Sequence, residues 1–91
     1  MTDLVRRRVT VSGVVQGVGF RWSARTVAQG LGVTGYARNL VDATVEVEAE
    51  GPADAVDKFV EWLRHGPPSA SVSGVEVTGL SPKGSRAFEV A

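Results

Sequence analysis

The sequence contains no cysteine. Disulfide staples, thiolate nucleophiles and thiolate metal sites are excluded together, so stability has to come from packing, and the redox compartment stays open. It also lacks a long apolar run near its start, where Arg6, Arg7 and Arg8 interrupt any signal peptide or membrane span. A cytoplasmic location away from membranes is expected. Net charge is absent too, with ten Lys and Arg against ten Asp and Glu, and the basic residues are scattered apart from that one triplet. No nucleic-acid-sized field is expected from this distribution, and a small ligand is the expected partner. Histidine occurs once, as His65 at an expected helix end where a cation complements the helix dipole, which gives it a structural reading. With 91 residues there is room for one small domain, 1–91, burying on the order of 60% of its unfolded surface.

What is present alternates between strand and helix periods. Val9, Val11 and Val15 share one face of a segment from Arg8 to Val15, which predicts a strand. Trp22, Ala24, Val27, Ala28 and Leu31 recur at helical spacing, and Gly32 is a suitable stop. Val33 to Leu40 and Thr44 to Glu50 read as a hairpin turning at Asp42-Ala43, with Val45, Val47 and Ala49 opposing Glu46, Glu48 and Glu50. Gly51-Pro52 opens a second helix whose apolar stripe is Val56, Phe59, Val60 and Leu63, and His65-Gly66-Pro67-Pro68 ends it. Strands from Val72 to Leu80 and from Ala87 to Val90 complete the chain. The order β-α-β-β-α-β with a tail strand predicts an α+β, ferredoxin-like split β-α-β sandwich, an antiparallel sheet with two helices on one face.

The run Gly13-Val14-Val15-Gln16-Gly17-Val18-Gly19-Phe20-Arg21 ends the first strand. Alternating glycines let successive N–H groups point into one concavity, and arginine adds a permanent charge with a planar fork of donors. An arginine at a helix N-terminus is electrostatically misplaced unless an anion lies between it and the amides, because that end of a helix carries partial positive charge. Gln16, Gly17, Val18, Gly19, Phe20 and Arg21 are therefore the candidate phosphate-binding loop. A second segment, Gly35-Tyr36-Ala37-Arg38-Asn39, places an amide near a turn. Asn39 both donates and accepts, which suits it to orient a water for attack without acting as a base.

On these two motifs the chain resembles the acylphosphatase family. The likeness extends through Leu31-Gly32-Val33, Val45-Glu46-Val47, Glu50-Gly51 and Gly66-Pro67-Pro68. It implies the same fold, an acylphosphatase activity, an arginine (Arg21) that binds the phosphoryl group with the loop amides, and an asparagine (Asn39) that orients the nucleophilic water. Family members commonly carry Asp-Gly in the hairpin where this chain has Asp42-Ala43, and a basic or aromatic end where it has Val90-Ala91.

Such chemistry asks little of the protein. The leaving group is a carboxylate, already stable as an anion near neutral pH, so its departure needs no general acid. A loose transition state spreads charge over the phosphoryl oxygens, where fixed donors act on it. No cofactor and no metal is expected, and the expected partners are a small-molecule acyl phosphate and inorganic phosphate, with the chain a monomer. Glu46, Glu48 and Glu50 read as the solvated face of their strand and not as a metal site, and Trp22 and Trp62 as core residues. An anion-binding module without turnover is the main rival. RNA recognition by this strand order needs exposed aromatics where this chain has Val11, Val45 and Val47.

Overall fold

The computed structural model describes residues 3–91, so the first two residues of the expected 1–91 domain lie outside the described residues. Strand β1 (Leu4–Val14) is followed by helix α1 (Phe20–Leu31), strands β2 (Thr34–Asn39) and β3 (Val45–Pro52), helix α2 (Ala53–Leu63), and strands β4 (Ser71–Leu80) and β5 (Phe88–Val90). The period-2 pattern of β1 and β3 sends Val9, Val11, Val45, Val47 and Ala49 to one face, where all are fully buried. Both helices cover that face. Phe20, Ala24 and Ala28 of α1 and Val56, Phe59, Val60 and Leu63 of α2 close the core; the α2 stripe is the predicted one, whereas in α1 Val27 and Leu31 of the predicted stripe are only half-buried and Phe20 joins the core from outside it. Helix α1 ends at Gly32, which takes φ 73° and lets the Val33 N–H return to the Ala28 carbonyl at 2.8 Å.

The sheet runs in the order β4-β1-β3-β2-β5. It is antiparallel except at one edge, where β5 lies parallel to β2 with Gly35, Tyr36 and Ala37 beside Phe88, Glu89 and Val90. The fold class is the expected one, but the sheet is mixed. From the edge strand β4 the chain crosses the helix-free face and reverses direction, so it arrives at the opposite edge aligned with β2.

That crossing corrects one expectation. Glu48 and Glu50 do not form a solvated face: they are 1% and 4% exposed, and Arg6 between them is 4% exposed. The main-chain N–H groups of Lys83 and Gly84 donate to the two carboxylate oxygens of Glu50 at 2.6 and 2.9 Å, drawing residues 81–87 over the strand. Arg6 donates through Nε to Glu48 at 2.8 Å and through Nη1 to Glu50 at 3.0 Å, and Arg8 and Tyr36 also donate to Glu48. Burial raises the affinity of Glu48 for a proton, but the donors from Arg6, Tyr36 and Arg8 outweigh it and hold the group down to about 2. For Tyr36, burial together with donation to Glu46 and Glu48 pushes the phenol well above its ordinary range. Glu46 is half-buried and pairs with Arg38 at 2.9 Å.

Trp22 departs from expectation as well, being 57% exposed. It lies off the apolar stripe of α1, and the Arg25 guanidinium sits over its ring at 5.7 Å. Trp62 does pack against the core, stacked on Phe59 with ring centroids 6.3 Å apart. His65 is exposed at the end of α2, with Nε2 3.7 Å from Glu61 of the preceding turn.

Candidate active site

The register places the two sequence motifs at one end of the sheet. Val11 of β1 pairs with Val45 of β3, and Val45 pairs with Asn39 of β2, so the three residues form one row. Paired residues of antiparallel strands share a face, which puts the Asn39 side chain on the helix-covered side with Val11 and Val45. The loop after β1 therefore leaves the sheet two strands away from Asn39, roughly 10 Å at the usual strand spacing.

Two features shape the start of that loop. A register shift between Ser12 and Gly13 bends β1 as it ends. Gly13 has φ 123°, and a Cβ there would lie 2.1 Å from the Ser71 carbonyl oxygen, so only glycine permits the approach of β4. Gly17 and Gly19 then take left-handed φ values of 74° and 76°, each with open space around it. Gly19 is the N-cap of α1, which has neither a side-chain cap nor an acidic residue in its first turn. Among the described residues, the N–H groups of residues 17–19 donate to no main-chain carbonyl. The result is a concavity of free amides on the positive end of a helix three turns long.

Neighbouring elements hold the loop in place. Phe20 is buried with its ring 5.7 Å from Trp62, so only its main chain faces the concavity. Val18 packs against the core, and its carbonyl oxygen accepts from Ser69 Oγ at 2.7 Å. The turn after α2 thus anchors that carbonyl. The side chain of Gln16 turns to the hairpin: its Nε2 donates to the Leu40 and Thr44 carbonyls at 2.8 and 3.0 Å, across the base of the β2–β3 hairpin.

Arg21 reaches the same end of the sheet from α1. Its Nη1 donates to the carbonyl oxygen of Ala91, and the Ala91 N–H donates to Ala37 at 2.9 Å, two residues before Asn39. A guanidinium carries five N–H donors, so this contact orients Arg21 and leaves donors for an anion. The fold therefore gathers Gly17, Gly19, Arg21 and Asn39 around one end of β2, with the side chains of Val18 and Phe20 anchoring the loop and that of Gln16 turned to the hairpin. Neither Ser69 nor Ala91 is legible in the sequence as part of the site: Ala91 stands out only in the Val90-Ala91 departure, and Ser69 not at all.

Comparison with known proteins finds similar chains over nearly the whole length. Residues 7–90 match the family model described as Acylphosphatase. An acylphosphatase of Alkalilimnicola ehrlichii is 55% identical over 84 residues, covering 92% of this chain and 94% of that protein. One from Acaryochloris marina is 48% identical over 90 residues, covering 99% of this chain and 97% of its own length. The solved structure of an acylphosphatase from Coxiella burnetii superposes with a TM-score of 0.93 at 40% identity, covering 98% of this chain and 94% of that one.

Proposed function

The chain belongs to the acylphosphatase family, and from that premise we propose that the loop amides and Arg21 hold the phosphoryl group of an acyl phosphate while Asn39 orients the attacking water. The activity is hydrolysis of the carboxyl–phosphate bond to a carboxylate and inorganic phosphate. The observation that carries the residue roles is the convergence, at one end of β2, of an uncapped helix N-terminus, Arg21 and Asn39.

The chemistry follows from the charges. The free amides of the loop and the guanidinium of Arg21 face the phosphoryl oxygens, where charge spreads in a loose transition state. Asn39 accepts a hydrogen bond from the water through its carbonyl oxygen, and its NH₂ contacts the water or a phosphoryl oxygen, setting the water oxygen in line with phosphorus. The carboxylate leaves as an anion whose conjugate acid has a pKa of about 4, so no proton donor is needed. Water attacks directly as the P–O bond to the carboxylate breaks, its protons leave on the inorganic phosphate or pass to solvent, and no covalent intermediate forms.

We extend the reading to a single domain over 1–91 that works as a monomer, since the loop, Arg21 and Asn39 all come from one chain. No helix among the described residues is long and apolar enough to cross a membrane.

The test is hydrolysis of benzoyl phosphate in excess EDTA, followed by ultraviolet absorbance, with Arg21→Gln alongside. Turnover by the wild type that is lost in the variant supports the reading. A folded wild type that binds phosphate without turnover would instead make this a phosphate-binding module.

A further inference from the structure

Gln16 stands in the middle of the loop, and in a phosphate-binding segment a side-chain amide is the natural candidate for a further anion donor. The structure directs it elsewhere. Both donor directions of the Gln16 Nε2 group are occupied, by the Leu40 carbonyl at 2.8 Å and the Thr44 carbonyl at 3.0 Å. These two carbonyls face each other across the mouth of the hairpin: Thr44 also accepts from the Leu40 N–H at 2.9 Å, and Leu40 from the Ala43 N–H at 3.2 Å. A single NH₂ has two hydrogens, so the contact saturates it and none remains for a ligand.

We propose that Gln16 is a positioning residue that fixes Asn39, and with it the attacking water, relative to the phosphate loop. The inference rests on the functional reading above. Leu40 follows Asn39 directly, and β3 lies between the strand that precedes the loop and the strand that carries Asn39. No main-chain hydrogen bond joins β1 to β2, because they are not neighbours. Gln16 supplies a direct connection: its main chain leads straight into the amide concavity at Gly17, and its side chain grips the residue next to Asn39. Attack in line with phosphorus tolerates little misplacement, since an error near 1 Å costs on the order of a hundredfold in rate. A bond between the two halves of the site is where such precision can be set.

The role predicts a division of effects that a phosphate ligand would not show. Gln16→Met keeps the length of the side chain and removes both donors. It is expected to lower kcat for benzoyl phosphate at least tenfold, with the inhibition constant of inorganic phosphate within about threefold of wild type. In the Asn39→Ala background the same change is expected to have little further effect, because a loosely held water has nothing more to lose. Gln16→Leu, uncharged and also without the donors, gives the same test if the methionine variant does not fold, with folding checked by circular dichroism.

A parallel loss of phosphate affinity and kcat would overturn the proposal and make Gln16 a ligand of the anion. Multiplying effects of Gln16→Met and Asn39→Ala would overturn it too, as would an unchanged kcat. Full activity in Asn39→Ala alone would instead sink the underlying water-positioning role. That last outcome is read from a separate variant, so the two failures are distinguishable.

Discussion

Arg6 and Glu48 form an ion pair at 2.8 Å with almost no access to solvent, at 4% and 1% exposure of their side chains. They lie on the sheet face that has no helix. A buried pair of this kind is costly to desolvate, and removing one partner leaves the other uncompensated. Arg6→Met is therefore expected to destabilise the protein by about 3–5 kcal/mol, read from urea unfolding. A loss below about 1 kcal/mol would mean that solvent reaches the pair.

The same cluster sets an acid limit on stability. Glu48 is held at about 2 in the folded protein against an ordinary value of 4.5, so the folded state favours its charged form. The stability it contributes is complete above pH 4.5 and is lost as pH falls toward 2, amounting to about 3 kcal/mol across that window. Thermal midpoints measured from pH 6 to 2 are expected to hold nearly level and then fall through this range. A midpoint that stayed flat down to pH 2 would contradict the shift.

The hairpin carries a local strain that one substitution relieves. Ala43 has φ 74°, the left-handed region that costs a residue with a Cβ roughly 1–2 kcal/mol. It is tolerated because Asp42 Oδ1 accepts from both the N–H and the hydroxyl of Thr44, at 3.0 and 2.6 Å, and closes the turn. Ala43→Gly is expected to stabilise the protein by about 1 kcal/mol and raise its thermal midpoint by about 4 °C. An unchanged or lower midpoint in calorimetry would show that the turn is not strained.

Arg21 and Asn39 are expected to separate by readout. Arg21→Gln should lose phosphate binding and turnover together, by orders of magnitude, because each charge-assisted hydrogen bond is worth about 1.5–3 kcal/mol. Asn39→Ala should lose turnover and keep phosphate affinity. Titration calorimetry with inorganic phosphate beside the rate assay distinguishes them, and equal losses in both variants would refute the division of labour.

Ser69 supports the loop from outside the motif. Its hydroxyl donates to the Val18 carbonyl at 2.7 Å, which ties the loop to the turn after α2. Ser69→Ala is expected to weaken phosphate binding about two- to tenfold, the size of one neutral hydrogen bond. Unchanged affinity would show that the loop holds its shape without that anchor.

Local signals in the sequence carried most of the fold. The stripe Val56, Phe59, Val60 and Leu63 shows its period within three turns, and an arginine after paired glycines at a helix start is anomalous without any knowledge of the fold. The burial of Glu48 and Glu50 was not legible, because their cover comes from Lys83 and Gly84, more than thirty residues away in a segment without periodicity. For the same reason the parallel pairing of β5 was hidden, since a three-residue strand does not announce its neighbour. The exposure of Trp22 was lost to residue type, because an aromatic next to a stripe looks like part of it. The loop was readable as an anion cradle, whereas the partners of the Gln16 amide are carbonyls 24 and 28 residues further on, which any residue type can offer.

The placement of β3 between β1 and β2 also governs when function appears during folding. Neither half of the site is within reach of the other until β3 has found register with both of its neighbours; the pairing with β2 is a local hairpin, whereas the pairing with β1 joins segments distant in sequence. Closing such separations is the slow part of folding for sheets of this kind. Helix α1 can form early and gain nothing catalytically. In a refolding experiment, recovered hydrolysis is thus a clock for completion of the central sheet, and it should lag behind the helical signal.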